Sequence, residues 1–201
     1  MSECLKWVER LNETYQPVEG FSDKIKPERV EGFKKILDVI VKHVGDVREK
    51  GFLDIGCNFG YFALELAKMG AYTVGYEHDK RRTDVARYFA DKHNLNAIFV
   101  TGDAVEIINE TKPTADYIIL LNTIHHLFLQ NEGETWKMFN HLIDNSKGIF
   151  IMMRNQLKTW KLCDKRIDIP ESVISKSHAT NYIDYGVVHG RNIYFFYKVT
   201  G

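Results

Sequence analysis

Apolar positions along the chain change period twice. Near the start, Leu5, Val8 and Leu11 recur at helical spacing and predict a short helix over about Ser2–Leu11. Behind Pro27, the positions Val30, Phe33, Ile36, Leu37, Ile40, Val41 and Val44 keep a 3.6-residue period and predict a second helix to about Val44. Pro27 suits its first turn, where a missing N–H does no harm, and Gly45 suits its end. From Gly51 onward the pattern becomes short apolar runs separated by helical ones. Strands are expected at Phe52–Ile55, Tyr72–Tyr76, Ala97–Val100, Tyr117–Leu121 and Gly148–Met152. Helices are expected near Tyr61–Met69, Arg81–His93, Ala104–Glu110 and Glu134–Ile143, with Asn122–Gly133 as a loop. Continuous apolar strands imply burial on both faces, the mark of a parallel sheet covered by helices. Beyond a short helix at Pro170–Ser177, the runs Tyr182–Val188 and Asn192–Val199 are joined by His189-Gly190-Arg191. That link is too short for a helical crossover, so these two strands should pair antiparallel.

Composition narrows the class. The chain has 201 residues, which suits one domain. Lys+Arg and Asp+Glu are 27 each, so the formal charge is zero and the basic footprint of a dedicated nucleic-acid binder is missing. No apolar run approaches the length of a membrane span, and MSECLKWVER carries charges where a secretory leader needs an apolar core. A soluble, cytoplasmic protein with no membrane partner is expected. The three cysteines, Cys4, Cys57 and Cys163, lie far apart without a CxxC pair, and no HxxxH or HExxH spacing occurs. Neither a disulfide framework nor a metal site is expected.

The most informative segment is Gly51–Asp79. An apolar strand runs into Asp54-Ile55-Gly56-Cys57-Asn58-Phe59-Gly60 and then into a helix. Gly56 and Gly60 let a ligand approach the backbone, and Asn58 tolerates the positive φ that such a turn demands. The helix behind Gly60 is expected to present free N–H groups to a polar or anionic ligand. Glu77 ends the next strand, where an acidic side chain can accept hydrogen bonds from ribose hydroxyls; His78 and Asp79 are the alternatives if the strand runs on. The GxxxG spacing is not the dinucleotide GxGxxG.

This segment resembles motif I of the class I S-adenosylmethionine-dependent methyltransferases, and the resemblance extends in order over about Gly51–Met153. It implies a Rossmann-like three-layer α/β/α sandwich with a mostly parallel seven-stranded sheet and an antiparallel C-terminal hairpin. It also implies S-adenosylmethionine as cofactor, with S-adenosylhomocysteine as product. By the same resemblance Asp54 lies near the methionine amino group. Gly56, Cys57, Asn58 and Gly60 pass under the methionine and ribose. Glu77 holds the ribose hydroxyls, and Asp103 with Ala104 meets the adenine. Asp103 alternatively caps the helix that starts at Ala104. The segment from Leu121 through Leu127 aligns with the part that frames methyl transfer and supplies Asn122, His125 and His126. A His near neutral pH can take a proton from an acceptor, or it can simply line the pocket. The whole chain is expected as a single domain, residues 49–201 forming the core and residues 1–48 forming N-terminal helices. The stretch from Tyr15 to Asp23 either folds over the cofactor as a lid, with Tyr15 and Phe21 stacking there, or packs on the sheet edge.

The expected activity is transfer of a methyl group to an O or N acceptor on a small molecule. Arg154, Lys158, Lys161, Lys165 and Arg166 around Trp160 keep an RNA acceptor open as an alternative. Lys80-Arg81-Arg82 opens a helix against its dipole and reads as a solvated charge cluster. A nicotinamide-dependent oxidoreductase and a non-catalytic subunit of the same fold are the other readings.

Overall fold

The computed structural model of the protein describes residues 2–154, 169–188 and 190–199. The chain divides into two compact units, Met1–Asp103 and Ala104–Gly201. The first holds α1 (Glu3–Glu9), a 3-10 turn (Ser22–Lys24), α2 (Pro27–Val44), β1 (Gly51–Ile55), α3 (Tyr61–Lys68), β2 (Tyr72–Glu77), α4 (Lys80–Lys92) and β3 (Ala97–Thr101). The second holds α5 (Ala104–Thr111), β4 (Tyr117–Leu121), α6 (Ile124–Gln130), α7 (Glu132–Asp144), β5 (Gly148–Arg154), α8 (Ile169–Lys176), β6 (Asn181–Val188) and β7 (Arg191–Tyr197).

In the first unit the strands run β3-β2-β1, all parallel, with Leu53 opposite Val74 and Val74 opposite Ile98. In the second they run β4-β5-β7-β6. There β4 and β5 are parallel, while β7 pairs antiparallel with both β5 and β6. The seven mostly parallel strands, alternating with helices and closed by an antiparallel hairpin, are the Rossmann-like fold that the sequence implies. All five residues of β4 are buried, as a strand covered on both faces requires. No helix among the described residues is long and apolar enough to cross a membrane.

Element boundaries follow local chemistry. Pro27 occupies the first turn of α2, and Gly45, at φ +74°, ends it by donating its N–H to the Val41 carbonyl. The expected loop Asn122–Gly133 is corrected, because most of it is α6 and the start of α7. Ile124, Leu127 and Phe128 are buried at helical spacing, and Asn131 caps α7 by accepting the Glu134 N–H. The hairpin link is shorter than expected, since Arg191 already belongs to β7.

The N-terminal segment packs within the first unit. Val8 and Val18 are buried in one cluster with Cys57, Phe59, Ala63 and Phe99. The Trp7 ring lies 5.9 Å from that of Phe59, and the Arg81 guanidinium sits 4.8 Å over Trp7. Tyr15 meets Phe33 edge-on at 5.8 Å, and Arg29 lies 5.7 Å over the Tyr15 ring. Thr14 donates both its N–H and its hydroxyl to the Lys24 carbonyl, and Glu19 accepts from Lys92 at 2.6 Å.

A glycine in the middle of β2 has a packing reason. Gly75 lies opposite Phe99, and a Cβ there would stand 2.6 Å from the Phe99 ring and 2.8 Å from Cys57 Sγ. Gly75→Ala is therefore expected to lower the unfolding free energy by about 2–4 kcal/mol through overpacking. Gly45→Ala, at positive φ but in open space, should lower it by only about 1 kcal/mol. Urea denaturation of both variants checks this, and equal losses would remove the packing explanation.

Candidate functional site

The glycine turn between β1 and α3 is closed on itself. Gly56, Asn58 and Gly60 all adopt the left-handed region, at φ 73°, 55° and 79°. Gly56 and Cys57 both donate their N–H to the Tyr76 carbonyl, which staples the turn to the end of β2. The Asn58 N–H goes to Glu77 Oε2 at 3.0 Å, the Phe59 N–H to Asn58 Oδ1 at 3.0 Å, and the Gly60 N–H to the Cys57 carbonyl at 2.8 Å. The Tyr61 N–H, first in α3, goes to Gln16 Oε1 at 3.1 Å. Every backbone donor from Gly56 to Tyr61 is thus already used. The expectation of free N–H groups is narrowed by this: those of the turn and of Tyr61 are taken, and among the described residues the Phe62 N–H of α3 has no acceptor. A pyrophosphate-cradling loop needs those donors open, which counts against the dinucleotide reading.

The acceptors are arranged differently. Asp54, at the carboxyl end of β1, is 3 % exposed, and its Oδ2 has no hydrogen-bond partner. Burial pushes its carboxyl up to about 7; the Ala63 N–H pulls it down, and the nearby Glu77 charge adds to the rise. Glu77 ends β2 and is 4 % exposed. Besides the Asn58 N–H it accepts the Asp79 N–H at 3.0 Å, and His78 Nδ1 lies 2.8 Å from its Oε1. Its backbone carbonyl accepts the Gly102 N–H, which ties the segment carrying Asp103 to the same strand end. Asp103 is exposed, and Ala104 begins α5 in a buried position. Asp54, Asn58, Glu77 and the Gly102-Asp103 segment are therefore connected through one strand end and one turn.

Cys57 turns its side chain into the core, close to Gly75, so the turn exposes its backbone and not its thiol. Burial, with Asp54 and Glu77 nearby, raises that thiol well above the ordinary range. The cationic start of α4 is neutralised locally. Asp79 caps the helix by accepting the Arg81 N–H and also pairs with the Arg81 guanidinium, while Lys80 pairs with Asp84 at 2.6 Å.

In the second unit, Asn122 directly follows β4 in the left-handed region, at φ 57°, and donates its N–H to the Met152 carbonyl. His125 and His126 follow in the first turn of α6, with ring centroids 4.0 Å apart. His126 is exposed and His125 half-buried. Burial and the neighbouring His126 hold the His125 imidazole below its ordinary value. Arg154 ends β5, and the rest of the basic stretch, together with Cys163, falls on residues 155–168, outside the described residues.

A family model described as a methyltransferase domain matches residues 52–146, the span from β1 through α7. The ubiquinone biosynthesis O-methyltransferase of Azorhizobium caulinodans is 34 % identical over 122 residues, covering 55 % of this chain and 47 % of that protein. The O-antigen chain terminator bifunctional methyltransferase/kinase WbdD of Escherichia coli is 26 % identical over 152 residues, 72 % of this chain and 21 % of its own. A crystal structure of WbdD matches with a TM-score of 0.75 at 22 % identity, over 97 % of this chain and 47 % of that one. Magnesium protoporphyrin IX methyltransferase from Synechocystis PCC 6803, solved with bound S-adenosylmethionine, matches with a TM-score of 0.63 at 17 % identity, over 98 % and 92 %. The chain has the fold of the class I S-adenosylmethionine-dependent methyltransferases, with a methyltransferase-domain match over residues 52–146. It spans less than half the length of the two curated relatives named here.

The cofactor of this methyltransferase class is S-adenosylmethionine, and the first unit has the donor–acceptor balance to receive it. The turn of the methyltransferase domain has its donors consumed and a buried carboxyl oxygen left over, at Asp54. An ammonium group and a ribose diol are both donors, so they complement this arrangement. Gln16 carries no mark of a site role in the sequence, whereas His78 is an alternative there to Glu77 and Arg82 belongs to the charge cluster that opens α4. Gln16 reaches Tyr61 across 45 positions of chain, and Arg82 Nη1 comes within 3.8 Å of Glu77.

Asp54 has an opposite effect on stability and on binding. With its folded value raised, the folded state holds a proton that the unfolded chain releases, so stability falls as pH rises from about 4 to about 7. Asp54→Asn removes that penalty. The variant should unfold at higher urea than wild type at pH 8, by about 1–2 kcal/mol. That difference should shrink as the pH is lowered toward 4. In the same variant the affinity for S-adenosylhomocysteine at pH 8 should fall at least about 10-fold, since a hydrogen bond to a charged group is lost. Paired urea titrations and calorimetry check both signs.

Proposed function

We propose that the protein transfers a methyl group from S-adenosylmethionine to an oxygen or nitrogen on a small-molecule acceptor. The observation that carries this reading is the buried Asp54 carboxyl, whose Oδ2 has no partner, beside a Glu77 carboxylate held by the N–H groups of Asn58 and Asp79. The cofactor supplies the reactive methyl on a sulfonium, so the protein's work is binding, alignment and proton handling. Asp54 receives the α-ammonium and Glu77 the ribose hydroxyls. Gly56, Cys57, Asn58 and Gly60 give the backbone surface beneath them, and Asp103 and Ala104 the adenine end. Asn122, His125 and His126, at the carboxyl end of β4, serve the acceptor: Asn122 orients it by hydrogen bonding. His125 or His126 takes the proton of a hydroxyl acceptor; burial holds the His125 imidazole below its ordinary value, which favours its neutral, proton-accepting form. The O-methyltransferase name of the Azorhizobium relative supports an oxygen acceptor on a small molecule.

The test begins with calorimetry of S-adenosylhomocysteine against wild type and Glu77→Gln. The substitution keeps one acceptor oxygen but loses the charge and the second acceptor, so binding should weaken by about 10- to 100-fold. Transfer of labelled methyl to a panel of phenols, catechols and amines then identifies the acceptor class. Binding without transfer to any acceptor, RNA included, would favour the non-catalytic reading. Failure of the folded wild type to bind would overturn the methyltransferase activity itself.

A further inference from the structure

A bound amino-acid group carries two charges on adjacent atoms. The reading above assigns its ammonium to Asp54, and the inference that follows rests on that reading. The carboxylate bonded to the same carbon needs hydrogen-bond donors within a few ångströms, and Asp54 itself repels it. The obvious donors are the N–H groups where the glycine turn enters α3. Those from Gly56 to Tyr61 are taken, by Tyr76, Glu77, Asn58, Cys57 and Gln16, which leaves the single N–H of Phe62 for a carboxylate that needs several donors.

Gln16 stands out at that helix end. It is only 4 % exposed, and its Oε1 is fixed by the Tyr61 N–H. Among the described residues nothing accepts from its Nε2. A carboxamide is one rigid plane, so fixing the oxygen on Tyr61 also fixes the nitrogen. The residue is nearly buried while its Nε2 is not among the polar atoms sealed from solvent without a partner, so this donor is open to a ligand. The effect is to convert a backbone donor of α3 into two side-chain donors, further from the helix axis, while keeping the sign of the helix end. The neighbouring contacts hold Gln16 in place: Thr14 is closed onto Lys24, Tyr15 is pinned between Phe33 and Arg29, and Val18 is buried.

We propose that Gln16 binds the carboxylate of the cofactor's amino-acid portion through Nε2, relaying the N-terminal donor of α3. The N-terminal segment is thereby part of the cofactor site through one named side chain.

Two ligands and two variants separate this role from a merely structural one. S-adenosylhomocysteine has the carboxylate, and 5′-methylthioadenosine lacks the amino-acid group altogether. Gln16→Glu still accepts the Tyr61 N–H, and a negative charge at a helix N-terminus is stabilising, so a purely structural Gln16 predicts unchanged or tighter binding. A ligand role predicts the reverse. By calorimetry on the full chain, Gln16→Glu should weaken S-adenosylhomocysteine by at least about 10-fold, because it loses a donor and adds like charge. Gln16→Ala should weaken it by about 5- to 10-fold. Binding of 5′-methylthioadenosine should stay within about twofold of wild type in both, since no partner of that ligand is removed. Urea midpoints report whether each variant is folded. If Gln16→Glu leaves S-adenosylhomocysteine unaffected, or if both variants lose the two ligands equally, the role of Gln16 is overturned and the cofactor site stands. If the folded wild type binds neither ligand, both the site and this role fall.

Discussion

Three stretches of the first unit share the Glu77 residue, and the geometry of the site depends on it. Its two carboxylate oxygens take the N–H of Asn58 from the glycine turn and that of Asp79 from the start of α4. Its carbonyl takes the N–H of Gly102, next to Asp103. A carboxylate held by two backbone donors in a buried position does not search for its orientation when a ligand arrives. That ordering has been done during folding, and a flexible acid would have to do it at the moment of binding. The same burial makes the arrangement intolerant of halves. Removing the carboxylate leaves two N–H groups unpaired, and removing the turn leaves a desolvated charge.

From that constraint follows a chemical bias. The turn spends its donors internally, and the acceptors Asp54 and Glu77 remain. A loop that cradles phosphates has the opposite balance, with free N–H groups facing the anion. Here a strand–turn–helix with glycines at nearly the same places selects for a ligand that brings its own donors. Asp54 makes that selection at the expense of stability. Burial has raised its carboxyl to about 7, and only a donor from outside completes its hydrogen bonding.

Much of this was legible in the sequence. The alternation of apolar runs and helical periods gave the order of strands and helices, since burial on both faces leaves parallel strands little freedom in composition. Asn58 was readable as a left-handed residue and Glu77 as a strand-end acid. What was hidden depended on tertiary neighbours. Gly75 looks like an ordinary weak strand position until Phe99 is seen across it. The α6 helix was obscured because its apolar residues Ile124, Leu127 and Phe128 are few and its polar ones invite a chemical reading. The donors of the turn looked free because the side chains that cap them, Asn58 and Gln16, carry no local mark of doing so. Propensity describes a residue's backbone, not the distant group its side chain meets.

The state of the N-terminal segment follows from the same packing. Swinging it away as a lid would expose Val8 and Val18, buried at 0 % and 6 %, and would break the Trp7–Phe59 and Gln16–Tyr61 contacts. Two such valines alone cost about 3–4 kcal/mol to expose. At that cost an open form is on the order of one molecule in several hundred. The Asn58–Phe59–Gly60 turn is gripped by Trp7 from one side, and Arg81 lies over Trp7 while pairing with Asp79, two residues from Glu77. In the proposed site, a segment so placed would be a wall and not a lid. Its influence on a ligand passes through side chains already in position, and a substitution in it should alter affinity without first altering how often the segment opens.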